Sequence, residues 1–385
     1  MLLLAALLAA ASPAADALVP ADYAADARAI DAFIADDYAY LDRFPGGKPP
    51  ASARLAAERD AVHDRDSLLH YAEDAIAALA DHHAITGSSF RDSWGLVPTF
   101  ADLWVVRSKR GYVVDAVRTA SPAEAAGIRA GDRLVAIDGV AIDEAVAGFW
   151  QRLGIQSDDE HDAYAARVLA TGRRDRPRHL TIAGTTGERV LTLDNLYAHQ
   201  EQRPPVTTGK GPHGWTVRIN NSLGDSATIA AFDAAIAGIP SRALVTIDLT
   251  DTPSGGDSYI ARAIMGWFVT RPTAYQMHNL PGEERETGIP RQWIEQVLPR
   301  AGKSHAGRVT VQVGRWTGSM GEGLAIGLAA IGARVEGSRM AGLRGAVYDF
   351  TLPKSGLTIK LPAERLFTVG GVPREQYVPA KPGNR

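Results

Sequence analysis

The run Gly314-Arg315-Trp316-Thr317-Gly318-Ser319-Met320-Gly321-Glu322-Gly323 is where this sequence is best placed to do covalent chemistry. An apolar, strand-like stretch at 309–313 precedes it, and a helical pattern at 320–331 follows. Small residues on both sides of Ser319 let the backbone turn sharply and present a hydroxyl, the logic of a nucleophile elbow. The hydroxyl and the Met320 N–H then face the positive end of a helix, which suits a developing oxyanion. Serine is also a common N-cap, so this window alone leaves both readings open. A serine nucleophile needs a base. Asp81-His82-His83 offers two imidazoles, which titrate near neutrality. The two are adjacent rather than spaced along one helix face, and there is no His-Glu-x-x-His, so the pattern does not support a metal site. The chain has no cysteine, which excludes thiolate nucleophiles, thiolate zinc sites and disulfides. It also lacks a P-loop and a Gly-x-Gly-x-x-Gly after a strand, so nucleotide binding has no support.

The elements that must position these groups fall into three stretches. Residues 22–41 and 51–79 carry apolar positions at helical spacing, with a Pro/Gly-rich break at 44–50 and a second break near Arg65. From Leu103 the pattern becomes strand-like, at 103–107, 112–117, 133–137 and 179–182. Within it, Ser121-Pro122-Ala123-Glu124 through Gly127 reads as a short capped helix closed by glycine. Residues 201–214 are polar and rich in Pro and Gly and read as a linker. Beyond them strands (216–219, 244–249, 309–313) alternate with helices (226–237, 257–268, 320–331), which implies helices layered on a mainly parallel sheet. The expected units are 1–17, a leader; 18–92, helical; 93–200, β-rich with a helical insertion; and 201–385, α/β.

The chain has 385 residues and a formal net charge of −3, with no basic stripe, so nucleic acid is not an expected partner. Residues 2–11 form an apolar run followed by small residues and Pro13, too short to span a bilayer. A signal peptide fits, and export to a periplasm or the exterior is the expectation, with no stable membrane insertion. The oligomeric state is not legible.

Tyr112-Val113-Val114, then Ser121-Pro122-Ala123 through Gly127, then Gly131-Asp132-Arg133-Leu134 through Asp138-Gly139, resembles a PDZ domain of the bacterial protease type. Such domains add a peptide terminus to a sheet edge. The helical, charged insertion at 151–173 could shade that groove. Thr317-Gly318-Ser319-Met320-Gly321-Glu322 resembles the nucleophile region of the tail-specific, C-terminal processing peptidases and their tricorn-core branch. Ile247 through Gly255-Gly256 resembles their strand and Gly-Gly turn, with Thr250 where an Arg is usual. The Leu-Pro-x-Ser-Gly turn at 352–356 resembles the tricorn-like branch.

The resemblance implies a ClpP/crotonase-like layered α/β catalytic domain, an N-terminal helical domain and an inserted PDZ-like domain. It implies Ser319 as nucleophile, and the N–H groups of Met320 and of Gly255 or Gly256 as oxyanion hole. It implies His83 as base, with His82 as a lesser candidate, and Glu375 as the carboxylate that orients the imidazole, with Asp81 competing for that role. Arg344 stands where a Lys base occurs in part of the family, and an arginine cannot shed its proton to serve as one. Glu322 is expected to stabilise the helix start or a neighbouring loop. The implied partner is a protein or peptide substrate, and no cofactor or metal is implied. A non-catalytic carrier is the main alternative, as in the retinoid-binding proteins of the eye that resemble this core. A crotonase-like acyl enzyme is a weaker one, disfavoured by the PDZ-like module.

Overall fold

Caps and breakers set the first helices. The computed structural model describes residues 18–199, 202–212 and 214–381, so the leader expected at 1–17 lies outside the described residues. Helix α1 is Pro20–Asp37, α2 Ala53–Asp60 and α3 Arg65–Ala77. Ser52 caps α2 by accepting the Leu55 N–H at 3.0 Å, and Asp64 caps α3 by accepting that of Ser67 at 2.8 Å. The helices bury Ile30, Tyr38, Leu68 and Leu79, together with Leu352, Ile359 and Leu361 from the far end of the chain. A short strand β1 (Ile85–Thr86) follows and pairs with that C-terminal region, Ile85 opposite Lys360. The helical stretch therefore shares its core with the last strands instead of closing a core of its own.

The second unit is an antiparallel sheet: β2 (Leu103–Ser108), β3 (Gly111–Val117), β4 (Arg133–Ile137), β5 (Val140–Ala141), β6 (Arg178–Gly184) and β7 (Gly187–Leu193). Its order is β2-β3-β4-β6-β7, with β5 on β4. Helix α4 (Pro122–Ala125) is capped by Ser121, whose hydroxyl accepts the Glu124 N–H at 3.2 Å. Helices α5 (Ile142–Leu153) and α6 (Asp159–Thr171) pack on the sheet around Trp150, Leu153, Leu180 and Ile182. A buried bidentate pair, Arg178 to Asp102 at 2.7 and 2.9 Å, ties β6 to the segment before β2. Asp102 also accepts the Ala123 N–H at 3.0 Å, which meets the remaining hydrogen-bonding demand of that buried charge.

The third unit begins inside the stretch that reads as a linker. Residues 201–214 read as a linker, but 206–211 form the edge strand β8 (Val206–Gly211), paired antiparallel with β9 (Gly214–Ile219), Val206 opposite Ile219. The reason is that an edge strand with one open face needs little apolar side chain, and β8 is almost wholly exposed. Helix α7 (Ala227–Ala237), β10 (Val245–Asp248), β11 (Asp251–Thr252), α8 (Ser258–Met265), β12 (Thr273–Asn279), α9 (Pro281–Thr287), β13 (Gln292–Val297), β14 (Val309–Val313), β15 (Trp316–Thr317), α10 (Met320–Ala330), β16 (Arg334–Gly337), β17 (Ala346–Thr351) and β18 (Thr358–Phe367) complete it.

One sheet runs β16-β14-β10-β9-β8, parallel except at β8, and a second antiparallel sheet runs β1-β18-β12-β13 with β17 on β18. Helix α10 lies against both β12 and β14, and its face is buried from Met320 through Leu328. This is the layered α/β arrangement expected of residues 201–385. The two-residue strands β11 and β15 pair in parallel, Asp251 with Trp316 and Thr252 with Thr317. That pairing brings the Gly255-Gly256 turn against the start of α10. Among the described residues, no helix is long and apolar enough to cross a membrane.

Candidate active site

Ser319 occupies the junction between β15 and α10 with φ 51° and ψ −116°, a left-handed conformation that a side chain rarely adopts. Neighbouring bonds over-determine it. The Ser319 N–H donates to Glu322 Oε2 at 3.0 Å, and the Glu322 N–H returns to the Ser319 carbonyl at 3.0 Å. Just before it, Thr317 donates its hydroxyl to the Leu249 carbonyl at 2.7 Å, and the Gly318 N–H bonds the Thr252 carbonyl at 3.1 Å. Strain held in this way at a single residue is characteristic of functional sites.

The hydroxyl faces His83. Ser319 Oγ lies 2.9 Å from His83 Nε2, across 236 positions of sequence. His83 Nδ1 lies 2.5 Å from the carbonyl oxygen of Arg344. A carbonyl only accepts, so the ring proton sits on Nδ1 and Nε2 is left bare to accept the serine O–H. The ring is buried, and burial with the nearby Arg374 charge lowers its pKa to about 4. At neutral pH the imidazole is uncharged, the state a general base must start from. Its own backbone is fixed as well: the His83 N–H donates to Asp81 Oδ1 at 2.9 Å, and Asp81 Oδ2 accepts the Tyr38 hydroxyl at 2.7 Å.

Glu322 is wholly buried beneath the elbow. Besides Ser319, its carboxylate accepts the N–H groups of Gly342 at 2.9 Å and Leu343 at 3.1 Å. One side chain thus ties the nucleophile to the loop that holds His83. Burial raises its pKa to about 7, against the opposing pull of Arg374 and these three amides. Arg374 clamps the same loop from behind, donating to the carbonyls of Leu343 at 3.0 Å and Gly345 at 2.6 Å.

The Gly255-Gly256 turn touches the nucleophile. Gly255 has φ 69°, and a Cβ there would stand 2.4 Å from Ser319 Cβ and 2.6 Å from its Oγ. At Gly256 (φ 156°) a Cβ would overlap the Leu223 carbonyl at 2.0 Å. Only glycine allows this approach. Among the described residues, the N–H groups of Met320, Gly255 and Gly256 make no hydrogen bond within the chain. These three amides, two on the Gly-Gly turn and one at the start of α10, are left without a partner beside the Ser319 hydroxyl.

Glu375 was expected to orient the imidazole, and here the structure differs. Its carboxylate makes no hydrogen bond to His83; the Arg344 carbonyl takes that place. Glu375 sits in a short 3-10 turn, Arg374–Gln376, and lines a cavity of about 340 Å³ with Tyr40, Arg43, Glu160 and Arg344. Its Oε2 is buried without a partner among the described residues, and burial raises its pKa. His82 points away from the site. It stacks on Tyr164 with ring centres 4.4 Å apart, and its Nε2 accepts from Arg167 Nε at 2.9 Å. Burial and the Arg167 charge hold its pKa well below the ordinary value. The guanidinium of Arg344 turns outward to Glu160 on α6. Tyr38, Arg43 and Arg374 were not singled out from the sequence. Only Arg374 has a signal there, its place beside Glu375.

A family model described as "PDZ domain" matches residues 113–161. No curated protein sequence matches the chain. Among solved structures, a photosystem II D1 C-terminal processing protease covers 94% of this chain with 92% of its own length, at 17% identity and a TM-score of 0.56. Mature CPAF complexed with lactacystin covers 94% with 93% of its own length, at 13% identity and a TM-score of 0.57. Identities this low speak for fold. The chain carries a PDZ domain and, over nearly its whole length, has the fold of the C-terminal processing proteases.

Proposed function

We propose that the chain is a serine endopeptidase that cleaves protein or peptide substrates through an acyl-enzyme. The observation that carries this reading is the 2.9 Å contact of Ser319 Oγ with His83 Nε2, on a ring whose Nδ1 proton is committed to a backbone carbonyl. A hydroxyl and a bare imidazole nitrogen at that distance form the nucleophile–base pair of acyl transfer.

Ser319 Oγ attacks the scissile carbonyl while His83 Nε2 takes its proton. The carbonyl oxygen gains the charge and is met by the N–H of Met320 and of Gly255 or Gly256. The tetrahedral intermediate collapses, the C–N bond breaks, and His83 returns the proton to the departing amine. Water then repeats the sequence on the ester, releasing the acid and restoring the serine. Glu322 keeps the elbow and the 342–343 loop in register throughout.

A carrier on the same scaffold has no need of a strained serine held against a neutral histidine, so the enzyme reading is preferred. The apolar leader adds the proposal that the chain works outside the cytoplasm. The test is hydrolysis of an unfolded protein such as β-casein. Turnover by the wild type and none by a folded Ser319→Ala variant supports the reading; equal turnover by both overturns it.

A further inference from the structure

We propose that Glu160, carried by helix α6 of the PDZ-like unit, is a positioning residue for His83. This rests on the serine-peptidase reading above.

The edges of the PDZ-like sheet are β2 and β7. A bound peptide would add to such an edge through backbone N–H and C=O groups. Helix α6 packs along β2 and closes it. Leu103, Trp104 and Val105 are all buried, although an edge strand ordinarily leaves one face open. Arg167 of α6 donates to the Val105 carbonyl at 3.2 Å, where a peptide N–H would otherwise bond, and lies over the Trp104 ring at 5.1 Å. The insertion is thus a built-in cover for that edge.

The same helix reaches the active site from its first turn. Asp158 caps α6, accepting the Glu160 and His161 N–H groups at 2.9 Å each, which fixes where Glu160 projects. Glu160 Oε1 then pairs with two arginines: Arg43 at 3.0 Å and Arg344. Each begins a path to His83. Arg344 supplies the carbonyl that holds Nδ1. Arg43 donates to the Tyr38 hydroxyl at 2.8 Å, Tyr38 to Asp81 at 2.7 Å, and Asp81 accepts the His83 N–H at 2.9 Å. The result is a closed ring, Glu160–Arg344–His83–Asp81–Tyr38–Arg43, that grips the histidine from both its ring and its backbone.

An isolated surface ion pair contributes little. This one differs because both arginine side chains are mostly covered, 14% and 20% exposed, and share a single carboxylate. Without Glu160, two guanidinium groups are left side by side next to the loop that must hold Nδ1. The three parts of the chain meet at this carboxylate: Arg43 comes from the helical stretch, Glu160 from the PDZ-like unit and Arg344 from the catalytic unit. Glu160 touches neither substrate nor reacting atoms, and it acts through Arg344 and Arg43.

The test compares full-length wild type, Glu160→Gln and Glu160→Asp by the rate of labelling with a fluorophosphonate and by the imidazole Nδ1–H resonance of His83 in proton NMR. The expected result for Glu160→Gln is a maximal labelling rate lower by about three- to thirtyfold, the range for mutations along a coupled network, with the half-saturating probe concentration unchanged. The Nδ1–H resonance should broaden or shift, and Glu160→Asp should recover part of both. A folded Glu160→Gln that labels at the wild-type rate with an unshifted resonance overturns the inference. If the glutamine variant does not fold, Glu160→Asp and Arg344→Gln take its place with the same two readouts. Failure of the wild type to label counts against the peptidase reading, and the resonance then decides alone whether Glu160 holds the imidazole.

Discussion

The backbone carbonyl of Arg344, not a carboxylate, accepts the Nδ1 proton of His83, at 2.5 Å. A neutral acceptor fixes the tautomer without adding charge, while burial and the Arg374 charge, which outweigh the upward pull of that carbonyl, leave the imidazole uncharged well below neutrality. The base is ready to accept, and the imidazolium that forms during the reaction is favoured by the Arg344 carbonyl and by the charge of Asp81, which is bonded to the His83 backbone.

That low pKa has a sign. The ring's ordinary value is 6.5 and its folded value about 4, so between these pH values the unfolded chain binds more protons than the folded one. The neutral-ring contribution to stability is complete above pH 6.5 and is lost as pH falls toward 4. The acid limb of kcat/KM for peptide hydrolysis should therefore lie near pH 4, not near 6.5. A pH–rate profile checks this, and NMR titration of His83 reports the same transition.

Glu322 titrates in the opposite sense. Its carboxyl is raised from 4.5 to about 7, so its contribution to stability is complete below pH 4.5 and declines as pH rises through 7. Glu322→Gln replaces one acceptor oxygen with an amide that meets an N–H head-on. Leaving such a buried donor unsatisfied costs about 1–3 kcal/mol. A kcat lower by about ten- to a hundredfold and a lower denaturation midpoint are the expected outcomes, with a smaller loss of stability between pH 5 and 8 than in the wild type.

Gly255 has no room for a methyl group. Gly255→Ala places a Cβ within 2.6 Å of the Ser319 hydroxyl at a positive φ. We expect at least a hundredfold loss of kcat, roughly the effect of removing one oxyanion donor, with the chain still folded by circular dichroism.

His82 is expected to matter for stability alone. His82→Phe keeps the stack on Tyr164 but removes the acceptor for Arg167, a buried charge. Thermal unfolding should register a loss of about 1–3 kcal/mol, while kcat stays within about twofold of wild type.

Much of the site is legible where it is local. Strand, glycine, serine and helix lie consecutively around Ser319, and the Gly-Gly turn after β10 is equally compact, so residue types report the geometry directly. His83 is legible only through the order of the motifs, because 236 positions separate it from Ser319. The Arg344 carbonyl could not be read, since every residue has one and no side chain marks which will point inward. Glu375 illustrates the converse: a carboxylate in the right segment that the fold leaves facing a cavity. Tyr38, Arg43 and Glu160 meet through tertiary packing of three separate stretches, and nothing in any one stretch announces the meeting. β8 is not legible because an exposed edge strand of Thr, Gly and Lys has the composition of a linker.

The most direct measurement is intact-mass analysis of the purified protein after treatment with a fluorophosphonate, with the adduct mapped by peptide sequencing, for wild type, Ser319→Ala and His83→Ala. The account predicts one adduct, on Ser319, in the wild type, and none in either variant on the same timescale. Labelling of His83→Ala at the wild-type rate, or an unmodified Ser319 in folded wild type, would contradict it.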